Sequence, residues 1–257
     1  LDYFDCKGKV AVISGGSTGI GLGISEGLAE AGAEIVFFSP FPNECEAGAK
    51  YLKDKLGVEA TWFQADVRSR PEMQELVEKV IAKFGKIDVV VNSAGVGGPE
   101  KPIMKFDDDE KGFDFVIDIN LTGAYNLTKA AVKPMIERGE GGKVIHVVSV
   151  GSMIAYSGMA GYCASKGGLM QLTKVMALEW ARYNIQVNAI LPGYIETPMN
   201  TKFFGSDAGK AVIQRNIPMK RLGQPEEMKG AAILLASNAS NFMTGSAVVV
   251  DGGNVLW

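Results

Sequence analysis

Tyr162 and Lys166 stand four residues apart in the run Tyr162-Cys163-Ala164-Ser165-Lys166, so on a helix they share one face about one turn apart. An ammonium near a phenol stabilises the phenolate and lowers a tyrosine pKa that is otherwise about 10. Bringing it near 7 takes roughly 4 kcal/mol, within reach of a charged partner joined by the charge of a bound cofactor. The product is a general acid/base able to pass a proton to a carbonyl oxygen at neutral pH. Ser149 lies 13 residues before Tyr162, after an apolar run, placed to give that oxygen a second hydrogen bond. Alone, a Tyr-x-x-x-Lys pair is an ordinary solvated helix face, and a serine after a strand is an ordinary cap. A glycine loop near the start of the chain gives both more weight. Ser14-Gly15-Gly16-Ser17-Thr18-Gly19-Ile20-Gly21 follows the apolar run Val10–Ile13 at once and leads into an amphipathic helix. Glycines let the backbone approach a pyrophosphate closely, and the helix N-terminus offers N–H groups and a positive dipole end. The Gly15-to-Gly19 spacing is wider than G-x-G-x-x-G, and no Gly-Lys-Ser/Thr follows. That favours a dinucleotide over a nucleoside triphosphate.

Such groups need strands that end where they begin. Val10–Ile13, Ile35–Phe38, Val89–Val91, Val144–Val148, Val187–Leu191 and Val248–Val250 are unbroken apolar runs of strand length, with Thr61–Ala65 a weaker seventh. Runs of this kind read as strands buried on both faces, as in parallel sheets. Between them lie the helical segments Ile20–Ala31, Glu44–Leu56, Glu72–Phe84, Leu121–Arg138, Tyr162–Arg182 and Glu226–Leu235, with Gly32 and Gly85 at cap positions. The expected fold is α/β: a single-domain, Rossmann-like doubly wound parallel sheet of about seven strands with helices on both faces, spanning residues 1–257. Such sheets bind ligands at the carboxyl ends of the strands, where the order reverses. An NAD-specific site places an acid at the end of the second strand, to hold the ribose 2′-hydroxyl. Here that place falls at Ser39, before Pro40. No acid repels a 2′-phosphate, and no Arg or Lys stands beside it to attract one. NADP and NAD both stay open, with a lean to NADP that Glu44 weakens if the loop folds back.

Composition excludes several classes. The chain has 257 residues, 26 Lys plus Arg against 29 Asp plus Glu, and a net charge of −3. No basic patch for nucleic acid is implied. With 47% hydrophobic residues and no apolar run of membrane-span length, a packed core without a membrane partner is expected, and no signal peptide is read at the start. Cys6, Cys45 and Cys163 are too far apart for a metal knuckle, and the single histidine, His146, rules out a multi-histidine zinc site. No metal is expected, and the cytoplasm is the expected compartment.

Taken together, the chain resembles the classical short-chain dehydrogenase/reductase family. The resemblance rests on the Ser14–Gly21 loop, Asn92-Ser93-Ala94-Gly95, Asn120, Ser149, Tyr162-x-x-x-Lys166, Pro192-Gly193 and the closing Asp251-Gly252-Gly253. It implies reversible hydride transfer between a nicotinamide cofactor and a carbonyl/alcohol pair. Tyr162 is then the acid/base, Lys166 lowers its pKa and holds the nicotinamide ribose, Ser149 orients the carbonyl, and Asn120 anchors a water. Gly15, Ser17, Thr18, Gly19, Ile20 and Gly21 cradle the pyrophosphate. Ser39, Asp66, Val67, Asn92, Ala94 and Gly95 line the adenosine side, while Pro192, Gly193, Ile195 and Thr197 meet the nicotinamide. Ser14 and Ser93 depart mildly from the family's usual Thr and Asn. The resemblance also implies a homotetramer through the Leu121–Arg138 and Tyr162–Arg182 helices, and Leu256 and Trp257 suit burial by a neighbouring subunit.

The substrate segment is expected at about 193–220, mobile, with Tyr194, Met199, Phe203 and Phe204 facing Ser152, Met153, Ile154, Tyr156 and Met159. Two small-molecule substrate classes fit the resemblance, a sugar acid or polyol and a 3-oxoacyl thioester. A catalytically silent dinucleotide-binding redox sensor is the alternative; sensors of this family lose the tyrosine or lysine that this chain keeps. An epimerase or dehydratase fits less well, because such chains tend to be longer, with tighter glycine spacing. Four features read as structural: His146 as a core histidine, Cys163 as a packing residue, Asp107–Glu110 as a solvated helix start, and Asn126-Leu127-Thr128 as a chance glycosylation pattern.

Overall fold

The Val and Ile runs become strands whose side chains are covered on both sides, except Val248–Val250, which forms an edge strand with Val249 exposed. The structure, a computed structural model, describes residues 2–105 and 111–256, so the acidic run Asp107–Glu110 and Trp257 lie outside the described residues. Strands β1 (Val10–Ser14), β2 (Glu34–Ser39), β3 (Thr61–Gln64), β4 (Val89–Asn92), β5 (Gly142–Val147), β6 (Ile185–Pro192) and β7 (Ala247–Val250) form one sheet. All six pairings are parallel, in the order β3-β2-β1-β4-β5-β6-β7. The winding therefore reverses between β1 and β4, as a doubly wound sheet requires.

The helices are α1 (Gly19–Glu30), α2 (Pro42–Leu56), α3 (Arg70–Phe84), α4 (Phe113–Ile117), α5 (Ala124–Arg138), α6 (Ala160–Trp180), α7 (Thr201–Phe204), α8 (Asp207–Asn216) and α9 (Lys229–Ala236). Alternation along the strands divides the core in two. Ala11, Ile13, Ile35, Phe37, Val89 and Ile145 pack with Leu28 of α1, Leu52 of α2 and Leu235 of α9. Val10, Val12, Val36, Phe38, Val90 and Val144 pack with Leu76 of α3, Leu127 of α5 and Met176 of α6. Each fully buried side chain of this size contributes about 1.5–3 kcal/mol.

The helix carrying the glycine loop is fixed by a buried carboxylate. Glu26 of α1 accepts hydrogen bonds from Tyr51 Oη at 3.0 Å and Lys229 Nζ at 2.6 Å, and pairs with Lys55 Nζ at 2.7 Å. Burial pushes its carboxyl up, but the bonds from Lys229, Lys55 and Tyr51 outweigh this and hold it below the usual range.

The structure shifts one expected helix start and adds two helices to another expected segment. The helix expected at Leu121 starts earlier: α4 runs through a π-helical turn, Asp118–Gly123, into α5. The segment after Gly193, expected as mobile chain, contains α7 and α8. Ser206 Oγ starts α8 by accepting the Gly209 N–H at 3.1 Å, and Asp207 favours the dipole of its first turn.

Candidate active site

The carboxyl ends of β1 and β4 are tied by one serine. Ser14 Oγ accepts the N–H groups of Ser93 and Ala94, both at 3.1 Å. Gly15 then turns with φ 61°, and a Cβ on it would lie 3.1 Å from Ala94 Cα. A Cβ on Gly21 would sit 2.0 Å from the Gly15 carbonyl oxygen, so any side chain there would open the loop. Gly19 packs on Thr197, which brings the residues after Pro192-Gly193 to the same loop. Thr18 makes no side-chain cap to α1 and no acid lies in its first turn, so the dipole end carries no negative side chain of its own there.

Two buried polar atoms at this end find no partner, Ser17 Oγ and Asn92 Oδ1. The Cys45 thiol near Ser17 is pushed up by burial and eased by the serine hydroxyl, without a well-formed bond between them. An unsatisfied hydroxyl in a glycine cradle at a helix N-terminus fits a pyrophosphate-bearing dinucleotide. The residues expected to line the adenosine side are also gathered here. Asp66 is held below the usual carboxylate range by hydrogen bonds from Arg68, and Val67 packs against Gly123. Ser39, buried at the end of β2, spends its Oγ on the Phe41 N–H at 3.2 Å.

Tyr162 and Lys166 lie in the first turns of α6, and Ser149 follows β5. Lys166 Nζ donates to the Val147 carbonyl at 2.9 Å and lies 5.8 Å from the Tyr162 ring centroid. Burial pushes Lys166 down to about 8. Burial raises Tyr162, the Ser149 hydroxyl pulls the other way, and the Cys163 thiol adds to the rise.

Asn120 sits in the π-helical turn, buried, with Oδ1 accepting Val96 N–H at 2.8 Å and Nδ2 donating to Val96 O at 3.0 Å and Ser165 Oγ at 3.1 Å. A Cβ on Gly95 would lie 3.2 Å from Asn120 Oδ1 and 3.5 Å from Lys166 Nζ. Asn120, Lys166 and the β4 loop thus meet at one point. Pro192 ends β6 and Gly193 follows it. The Ile195 carbonyl and the Thr197 N–H are both bound by the Asn200 side chain, at 2.7 and 3.0 Å.

His146 is structural, as read from sequence. Thr173 Oγ1 donates to Leu169 O at 2.8 Å, so its contact with His146 Nδ1 at 2.8 Å has the ring as donor. Nε2 is then the acceptor facing Thr128 Oγ1 at 3.4 Å, and Thr128 accepts from Asn92 Nδ2 at 2.8 Å. Burial, then the Lys166 charge, push His146 down to about 3. Asn126 of the glycosylation pattern is buried and donates to Val67 O at 3.1 Å. Asn126, Thr128 and Asn200 support the site without having been singled out for it. Their signal lies only in partners distant in sequence. Cys163 Sγ accepts the Tyr156 N–H at 3.5 Å, a packing role.

On the substrate side, Tyr156 and Tyr194 rings lie 5.7 Å apart, Tyr194 and Phe204 5.4 Å, and Phe203 and Phe204 5.0 Å. Met153 and Met199 are exposed. Among the described residues no cluster of His, Cys, Asp and Glu could hold a metal ion, and no helix is long and apolar enough to cross a membrane.

Residues 15–254 match a family model described as enoyl-(acyl carrier protein) reductase. The chain is 38% identical to a 2-dehydro-3-deoxy-D-gluconate 5-dehydrogenase from Formosa agariphila, over 98% of this chain and 95% of that protein. It is 36% identical to a 3-oxoacyl-(acyl-carrier-protein) reductase from Chlamydia muridarum, over 95% and 96%. A crystal structure of a gluconate 5-dehydrogenase from Burkholderia cenocepacia, in complex with NADP and tartrate, superposes with a TM-score of 0.92 at 37% identity, covering 100% of this chain and 98% of that one.

Proposed function

The chain belongs to the short-chain dehydrogenase/reductase family and is an NAD(P)-dependent oxidoreductase; from that premise we propose that it interconverts a secondary alcohol and a ketone on a sugar acid, using Tyr162, Lys166, Ser149 and Asn120. The observation carrying this reading is the convergence of those four side chains at the carboxyl ends of β4 and β5, beside the glycine cradle.

Gly15, Ser17, Thr18, Gly19, Ile20 and Gly21 hold the pyrophosphate, with Ser17 Oγ giving the buried donor that has no protein partner. Ser39, Asp66, Val67, Asn92, Ala94 and Gly95 hold the adenosine half, and Pro192, Gly193, Ile195 and Thr197 the nicotinamide half. Bound, the dinucleotide supplies or takes up the hydride. In the reduction direction Tyr162 gives its phenolic proton to the carbonyl oxygen as that oxygen gains charge, and Ser149 Oγ donates a second hydrogen bond to it. A phenol kept up by burial is protonated at neutral pH, which suits reduction. Lys166 places its charge under the phenolate that remains and binds the nicotinamide ribose. Asn120 holds the Val96 loop against α6 and anchors the water through which the proton is replaced.

The neutral Ser39 at the end of β2 favours NADP over NAD, and the NADP-bound relative supports this. The sugar-acid reading rests on the 2-dehydro-3-deoxy-D-gluconate 5-dehydrogenase relatives and on the hydroxyls of Ser149, Ser152 and Tyr194 on the substrate side; residues 193–220 are its substrate segment. A 3-oxoacyl thioester is the second class, favoured by the 3-oxoacyl reductase relative. We also propose a cytoplasmic homotetramer, supported by the exposure of Leu178 at 83% and Val175 at 44% on α6. The test is ketone-dependent oxidation of NADPH and NADH over keto sugar acids, simple ketones and an acetoacetyl thioester. Turnover that Tyr162→Phe lowers by at least 10²-fold while dinucleotide binding persists is the expected result. Binding without turnover on any substrate would instead favour a silent redox sensor.

A further inference from the structure

The two walls of the substrate pocket come from segments far apart in sequence: the loop after Ser149, carrying Tyr156, and the 193–220 segment, ending its second helix at Asn216. One side chain from the C-terminal turn touches both. Asn254, 5% exposed, donates from Nδ2 to the Asn216 carbonyl at 2.9 Å and accepts at Oδ1 from Tyr156 Oη at 3.3 Å. A side-chain amide carries that donor and acceptor on two separate atoms, so one residue reaches both partners.

The turn presenting it is itself fixed. Asp251 accepts the N–H groups of Gly253 and Val255, each at 2.8 Å. Gly252 and Gly253, at φ 63° and 90°, pack on Ile217 and Pro218, and the Gly252 carbonyl accepts Met219 N–H at 3.2 Å. The same turn abuts Gly193, where a Cβ would lie 2.7 Å from Asp251 Cα. On the other side Tyr156 packs over Gly151, where a Cβ would lie 3.1 Å from Cε2, and its ring meets Tyr194.

We propose that Asn254 is a positioning residue for the substrate: by bonding Tyr156 and the end of α8 at once, it sets the width of the pocket and hence the binding of the substrate. This rests on the alcohol/ketone reading of the site. Asn254 touches none of the groups assigned to the dinucleotide or to proton transfer, so its loss acts on substrate affinity and leaves the chemistry in place.

The experiment measures substrate KM, kcat, dinucleotide Kd by fluorescence titration, and hydrogen exchange of residues 194–216, for Asn254→Ala, Tyr156→Phe and the double variant. Tyr156→Phe keeps the ring packing should Asn254→Ala fold poorly. Each single variant is expected to raise KM roughly three- to ten-fold, the worth of one hydrogen bond. The expected kcat and dinucleotide Kd stay within two-fold, and exchange in 194–216 quickens in Asn254→Ala. The double variant is expected to match Asn254→Ala rather than the product of the two, because both act through one contact. An unchanged KM, multiplicative effects, or a parallel loss of dinucleotide binding would each overturn the proposal. If the wild type turns over no alcohol or ketone, the functional reading fails by itself. Unchanged exchange in Asn254→Ala then defeats the tie separately.

Discussion

Strand β5 meets a buried lysine at each end. Lys143, near its amino end, and Lys166, which reaches from α6 to the carbonyl of its last residue, are each 5% exposed. Burial pushes both down to about 8, and neither faces a carboxylate. They differ in how far the chain satisfies them. Lys143 Nζ donates to Asn241 Oδ1 at 2.9 Å and Ser240 Oγ at 3.4 Å. Lys166 has one acceptor among the described residues, Val147 O, and shares its end of the sheet with the unpartnered Ser17 Oγ and Asn92 Oδ1. At the amino end the remaining unbonded buried atom, Arg138 Nε, faces Glu140 Oε2 at 3.1 Å as an ion pair. The chain closes its own polar groups at the amino end and leaves them open at the carboxyl end. Groups left open at a desolvation cost mark the end that a ligand completes.

The largest effect that would break this contrast is catalytic. Lys166→Met is expected to lower kcat/KM by 10²-fold or more, since it removes the charge that would stabilise the phenolate, while thermal stability holds or rises because a buried cation is gone. Steady-state kinetics beside thermal unfolding measure both. Activity within ten-fold of wild type would put Lys166 on the same footing as Lys143.

His146 sharpens the comparison, as a buried polar group at the carboxyl end that is nonetheless satisfied. Its ring closes the chain from Asn92 through Thr128 to Thr173, and is neutral with its pKa at about 3. His146→Leu leaves Thr128 and Thr173 without their ring partner and is expected to cost about 2–3 kcal/mol. The sign of the pH effect follows from the depressed pKa. Between about 3 and 6.5 the unfolded chain binds a proton that the folded chain refuses, so stability rises with pH across that window and falls on acidification. Wild type should lose about 2 kcal/mol from this group between pH 7 and pH 5. His146→Asn, which keeps one donor and one acceptor, should lack that loss. Urea midpoints at the two pH values decide it, and equal acid sensitivity in wild type and His146→Asn would refute the neutral-histidine account.

The same residues show what sequence can and cannot disclose. The strands were legible because Val10–Ile13 or Val187–Leu191 has only one way to bury every side chain, between two helical layers. The glycine loop, Ser149 and the Tyr162–Lys166 pair were legible because each sits at an element boundary. The π-helical turn that places Asn120 was not: Phe113–Ile117 is too short to show a helical period. Nor were α7 and α8, which are too short to show a sustained helical period. The partners of His146, and the reach of Asn254 to Asn216 and Tyr156, depend on chain folding back over long distances, which no local pattern encodes. The environment of Tyr162 was hidden for a related reason. Four-residue spacing puts the ammonium on the same helix face, but desolvation of the phenol depends on everything packed around it.

Lys143 yields the smallest effect and the cleanest discrimination. Its burial brings no function into view: Lys9 adds like charge nearby, and the acceptors it uses do not need it. Ser240 Oγ donates to Leu235 O at 3.0 Å whether or not the lysine is present, and Asn241 is exposed to water. Lys143→Met therefore removes a buried charge without orphaning a partner and is expected to stabilise the protein by about 1–3 kcal/mol at pH 7. The folded pKa lies below the unfolded one near 10.5, so the cost of the charge is present in full below about 8 and fades as the folded lysine loses its proton first. The gain from Lys143→Met should accordingly shrink between pH 8 and pH 10, with kcat/KM and dinucleotide Kd within two-fold of wild type throughout. Destabilisation at pH 7, or a loss of activity, would mean that the amino end of β5 also holds its lysine for use.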